Sequence, residues 1–99
     1  MKTLVLKDVL ANIDGYEPYL VVYVADDGDP TLESEVELMD YQGPQTPKPS
    51  GKRSFLSIED IRDVLETWSN WRDGRIPGDA ERVAAVAFYA KYDSYIPAK

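Results

Sequence analysis

The sequence contains no cysteine and no histidine. Without cysteine there is no disulfide and no thiolate metal site. Without histidine, the commonest metal ligand and the commonest general base near neutral pH are both missing. Catalysis would fall to carboxylates, lysines, tyrosines and serines, each needing a strongly shifted pKa. The expectation is a protein that is not an enzyme and that uses no cofactor or metal. Long apolar runs are missing too. No stretch approaches the roughly 20 residues that span a bilayer, and the apolar run within residues 1–10 is too short for a signal peptide. A cytoplasmic protein is expected on that ground. There is no glycine-rich phosphate loop, since Gly43, Gly51, Gly74 and Gly78 stand singly. Ser57 and Ser69 have no histidine to activate them.

What is present suits a small globular protein. The 99 residues are read as a single domain over 1–99. A chain of this size buries only about two-thirds of its unfolded surface, so it has one core and little apolar material to spare. Seven tyrosines and two tryptophans are many for that length. Some of these rings must lie near the surface, where they can serve a partner.

The net charge is −7 and it is lopsided. Residues 1–47 hold ten acids against two lysines, whereas residues 48–99 hold eight acids against nine bases. Asp26, Asp27, Asp29, Glu33, Glu35, Glu37 and Asp40 follow one another without an intervening base. Phosphates would be repelled, so nucleic acid and anionic membrane are disfavoured as partners and a basic protein is favoured.

Periodicity supplies the elements. Leu6, Val9, Leu10 and Ile13 share one face of a short helix, and Asp14-Gly15 should end it, with Gly15 suited to a left-handed cap. Residues 1–5 are either a lead-in strand or coil. Tyr19 to Ala25 reads as a strand apolar on both faces and therefore internal to a sheet. Asp26 to Pro30 reads as a turn. Ser34 to Tyr41 alternates, with Val36 and Leu38 on one face and Glu35, Glu37 and Met39 on the other. That is a half-buried strand hairpinned to the previous one. Gln42 to Lys52 is a proline-rich loop, and Phe55-Leu56 is a candidate short third strand.

Ser57 should cap a helix whose stripe is Ile58, Ile61, Val64, Leu65 and Trp68, extended by Trp71 and ended by Asp73-Gly74. Asp79 is expected to cap a last helix running to about Tyr92. Alanines and aromatics spread round most of that helix, so it should lie deep. The predicted fold class is α+β, a small antiparallel sheet of two to three strands with three helices packed on one face.

Asp26-Asp27-Gly28-Asp29 invites a calcium reading, but its glycine falls too early and no closing glutamate follows. A plain acidic turn is the better reading. Glu35 with Glu37, and Asp60 with Asp63, are better read as solvated faces than as a glycosidase pair, since so thin a core leaves no room for a sugar cleft. Arg72 and Arg75 read as helix-end charges.

Two stretches carry a resemblance: GKRSFLSIEDIRDVLETW with AAVAFYAKYDSYI, and KDVLANIDGYEPYLVVYV. Together they resemble a family of small bacterial proteins, some of which look like immunity proteins of contact-dependent growth-inhibition systems. The resemblance implies an intracellular inhibitor that binds and neutralises a toxin domain, and carries no catalytic signature. The charge pattern adds that the toxin domain should be basic, as a nuclease is. Asp26, Asp27, Asp29, Glu33, Glu35, Glu37 and Asp40 would steer association, with Tyr23, Met39 and Tyr41 as anchors. The competing readings are a DNA-mimic inhibitor from a phage or mobile element and an interaction module of another kind. A DNA mimic needs acids in phosphate-like rows over the whole surface, which the near-neutral second half does not provide.

Overall fold

A computed structural model of the chain describes residues 4–25, 30–40 and 51–97. Its elements are β1 (Leu4–Val5), α1 (Leu6–Ala11), a 3-10 turn (Ile13–Gly15), β2 (Leu20–Ala25), β3 (Glu35–Asp40), β4 (Lys52–Ser57), α2 (Ile58–Asn70) and α3 (Asp79–Tyr92). The fold is α+β. The sheet has four strands in the order β1-β3-β2-β4, and every neighbouring pair is antiparallel. This exceeds the expected two to three strands. The addition is β1, two residues too few for any periodicity to show. Phe55-Leu56 proves to be part of a six-residue strand whose first half is Lys-Arg-Ser.

β2 lies between β3 and β4, as its apolar character on both faces implied. β3 and β4 therefore run in the same direction on either side of it. A connection between such strands cannot be a tight turn. That accounts for the long stretch separating them in the sequence.

Register decides what faces the helices. Val22 pairs with Leu38 on one side and Leu56 on the other. Val22, Val24 and Val36 join Leu6, Val9, Leu10 and Ile13 from the first helical segment, Ile58, Ile61, Val64 and Trp68 from α2, and Val83, Ala85 and Val86 from α3 in one buried cluster. The helices thus share one side of the sheet, with α3 resting on α1 and α2. No described helix is long and apolar enough to cross a membrane.

The helix ends follow local chemistry. Ser57 Oγ accepts the Asp60 N–H at 3.1 Å, the cap expected from its sequence. The Glu59 N–H donates to the Pro18 carbonyl at 3.1 Å, tying the first turn of α2 to the segment before β2. Asp73 and Gly74 take left-handed φ of 57° and 80° and end α2. Three expectations about ends are corrected. The first helix stops at Ala11 and continues only as a 3-10 turn, within which Gly15 keeps a negative φ. The cap of α3 is Gly78, whose N–H donates to Glu81 Oε1 at 2.9 Å. Asp79 is instead the first helical residue, paired with Arg82 at 2.8 Å. Trp71 leaves the apolar stripe, because α2 has already ended at Asn70, and is half exposed.

The expected depth of α3 is also corrected. Ala84 and Ala90 are exposed, and so is Tyr92. Alanine favours helix whether or not it is covered, so counting it as apolar overstates burial.

Candidate partner-binding surface

The acids that the sequence groups together are placed by β3 and by the residue pair before it. Glu33 and Glu35 are exposed, Glu37 is half-buried and Asp40 is exposed at the strand's end. β1 covers β3 only at Glu35 and Val36. The remainder, from Glu37 to Asp40, has β2 on one side. Charged side chains on such an edge discourage indiscriminate strand pairing.

Among the described residues, a lysine reaches this group from outside the strand. Lys7, in the first turn of α1, donates to Glu33 Oε2 at 2.9 Å. The placement follows from backbone bonds that dock the start of α1 on the approach to β3: Leu6 N–H to the Ser34 carbonyl at 2.8 Å and Lys7 N–H to the Leu32 carbonyl at 3.1 Å. The Glu33 carboxylate raises the Lys7 pKa above its ordinary value, first through the hydrogen bond and then through its charge. Part of the acidic field is thereby neutralised by a residue far away in sequence.

The expected anchors separate. Tyr23 is 1% exposed and is withdrawn as a contact residue. It sits in the middle of the internal strand, opposite Glu37 on β3 and Ser54 on β4. Met39 is half-buried beside Val21 and stays on the acidic strand as expected. Asp26, Asp27, Asp29 and Tyr41 lie outside the described residues, as does the body of the proposed turn and loop around them.

The aromatic that does accompany the acids is Tyr19, 57% exposed. It immediately precedes Leu20, whose cross-strand neighbour is Asp40. The sequence signal was available: Tyr19 follows Pro18 at the strand's outer end, where burial falls away.

The helical side treats its charges differently. Arg62 on α2 donates to the carbonyls of Asp14 and Tyr16 at 3.2 and 3.3 Å, and its Nε lies 3.5 Å from Asp14 Oδ1. Arg72 donates to the Trp68 carbonyl at 3.0 Å and the Pro97 carbonyl at 2.9 Å, with its guanidinium 4.4 Å from the Trp68 ring centre. Arg75 pairs with Glu81, and Arg82 with Asp79. The helix-end reading of Arg72 holds, while Arg75 bridges to α3. A shallow cleft lined by Leu10, Ile13, Arg62, Glu66, Ser69 and Arg82 lies between these helices. Its Arg62 and Arg82 are both engaged with neighbouring residues of the fold.

The C-terminal tyrosines divide. Tyr95 packs on the core and against Trp71 and Tyr89, with ring centres 5.8 and 5.3 Å apart. Tyr92 is exposed beside Phe88. No group of acids able to hold a metal ion occurs among the described residues.

Compared with known proteins, the chain matches no family model, no curated protein and no solved structure.

Proposed function

We propose that the chain is a protein-binding module that recognises a cationic partner through the β3 side of its sheet, and that it serves as a cytoplasmic immunity protein neutralising a basic, nuclease-type toxin domain. The observation that carries this reading is the placement of Glu33, Glu35 and Asp40. They stand exposed along one strand and its approach, with Tyr19 at the far end. Charges so arranged speed the encounter with an oppositely charged surface, and an exposed ring beside them supplies apolar contact once the partner has arrived. The arginines of the helical layer are held by groups of their own chain, Arg75 and Arg82 by carboxylates.

The test is binding to a basic toxin domain as salt is varied. The association rate should fall steeply between low and physiological salt. Glu35→Lys with Glu37→Lys should slow association at low salt by about tenfold or more. Tyr19→Ala should instead act mainly on dissociation. A salt-independent rate, unaltered in the double variant, refutes the steering role.

A further inference from the structure

The two edges of the sheet are not equally guarded. One edge is β1, two residues long, with the acidic end of β3 beside it. Short strands and charges are the usual means of blocking strand addition. The other edge is β4, six residues from Lys52 to Ser57, without an acid in it. β2 covers one side of β4. Among the described residues, no backbone group hydrogen-bonds to the outer side of Ser54, Phe55 or Leu56. Phe55 and Leu56 are only half-buried, and with Val21, Ser54, Ser57 and Asp60 they line a hollow along this edge. Among the described residues its guards are Lys52 and a bulge that sets Ser54 and Phe55 together opposite Tyr23.

Charge runs along this edge in one direction. It opens on Lys52 and Arg53 and passes directly into the first turn of α2, where Glu59 is exposed and Asp60 half-buried. A strand that is basic at its start and acidic just past its end is complementary to itself when reversed. We propose that β4 is a self-association edge. Two copies of the chain pair their β4 strands antiparallel about a two-fold axis, so that Lys52 of each faces the Glu59 end of the other and the Phe55-Leu56 segments meet at the centre. An isologous contact must be self-complementary in this way, and it closes at two chains. In the parallel arrangement Lys52 would face Lys52, and Glu59 would face Glu59. The pairing joins two sheets into one and leaves both β3 surfaces on the outer flanks. It does not rest on the toxin-binding reading, and no toxin enters its test.

Sedimentation equilibrium over a range of concentrations should show a monomer–dimer equilibrium with no larger species. Lys52→Glu should weaken the dimer about tenfold, since both symmetry-related contacts turn repulsive. Adding Glu59→Lys to Lys52→Glu should restore it. An independent arm uses the absence of native thiols. Ser54→Cys should cross-link to a dimer with a short bis-maleimide, and Ala11→Cys, exposed at the end of α1 by the opposite edge strand β1, should not. Far-UV circular dichroism verifies that each variant is folded. A monomer at millimolar concentration overturns the proposal. So does a dimer indifferent to Lys52→Glu that cross-links as well through Ala11→Cys as through Ser54→Cys, and so does open-ended growth.

Discussion

Along β3 and its approach, Glu33, Glu35 and Asp40 are exposed, and among the described residues Lys7 reaches this group and pairs with Glu33. In the helical layer the arrangement is reversed. Arg62, Arg72, Arg75 and Arg82 each hold a carbonyl, a carboxylate or an aromatic ring of the same chain. Cations on the helices are therefore structural, joining α2 to the 3-10 turn, to the C-terminal segment and to α3. Exposed charges of one sign along β3 cost some self-repulsion. The difference teaches that a region's formal charge is a poor guide to its outward field. The second half is near neutral by count, and four of its nine bases are arginines turned to internal use.

The largest expected effect tests whether Tyr23 belongs to the fold or to the surface. Tyr23→Ala should lower unfolding free energy by about 3 kcal/mol, the order expected for truncating a buried aromatic ring. Chemical denaturation measures it. An unchanged midpoint would return Tyr23 to the partner surface. Next comes Arg72→Ala, which removes two carbonyl contacts and the stacking on Trp68. A loss of about 1.5 kcal/mol is expected, with increased hydrogen exchange in the C-terminal segment. Ser57→Ala should cost about 1 kcal/mol through the lost cap of α2. By contrast, Glu35→Lys with Glu37→Lys should leave stability within about 0.5 kcal/mol. If the acid variants proved as destabilising as the arginine variant, the division between a structural helical side and a functional sheet side would fail.

How much of this was legible in the residues depended on the kind of signal. The Ile58-Ile61-Val64-Trp68 stripe with its Ser57 cap repeats over three turns, and α2 appears where that pattern places it. β2 was legible because β-branched and aromatic residues crowd both its faces. β1 was not, because its two residues become a strand only through pairing with Val36 and Glu35. Nor was the full length of β4, whose Lys-Arg-Ser start is polar because it lies at an edge. At the candidate surface, the run of acids was visible in one dimension, but exposure was not. Tyr23 and Tyr19 fall in one apolar run, and only their places in it separate them. They differ because one lies mid-strand between two neighbours and the other lies just before the strand begins. The Lys7–Glu33 pair joins residues 26 positions apart and depends on how α1 docks.

The smallest effect contrasts the two regions at alkaline pH. Lys7 has its pKa raised from 10.5, chiefly by the hydrogen bond and charge of Glu33. Tyr89 on α3 has its pKa raised from 10.0, first by burial and then by the nearby charge of Asp93. Both groups hold their protons more tightly folded than unfolded. Each contribution is therefore complete below the unfolded value and is lost as pH rises through the folded one. Stability should be flat through neutral pH in respect of these two groups and should decline above about pH 10. The causes differ, and salt separates them. Screening weakens an exposed ion pair and leaves the penalty for burying a phenolate largely intact. Glu33→Gln should remove most of the salt-sensitive part of the alkaline decline, whereas Tyr89→Phe should remove mainly the salt-insensitive part. If most of the salt-sensitive part vanished in Tyr89→Phe instead, repulsion of its phenolate by neighbouring acids would outweigh burial in the helical layer, and the contrast between the two regions would have to be redrawn.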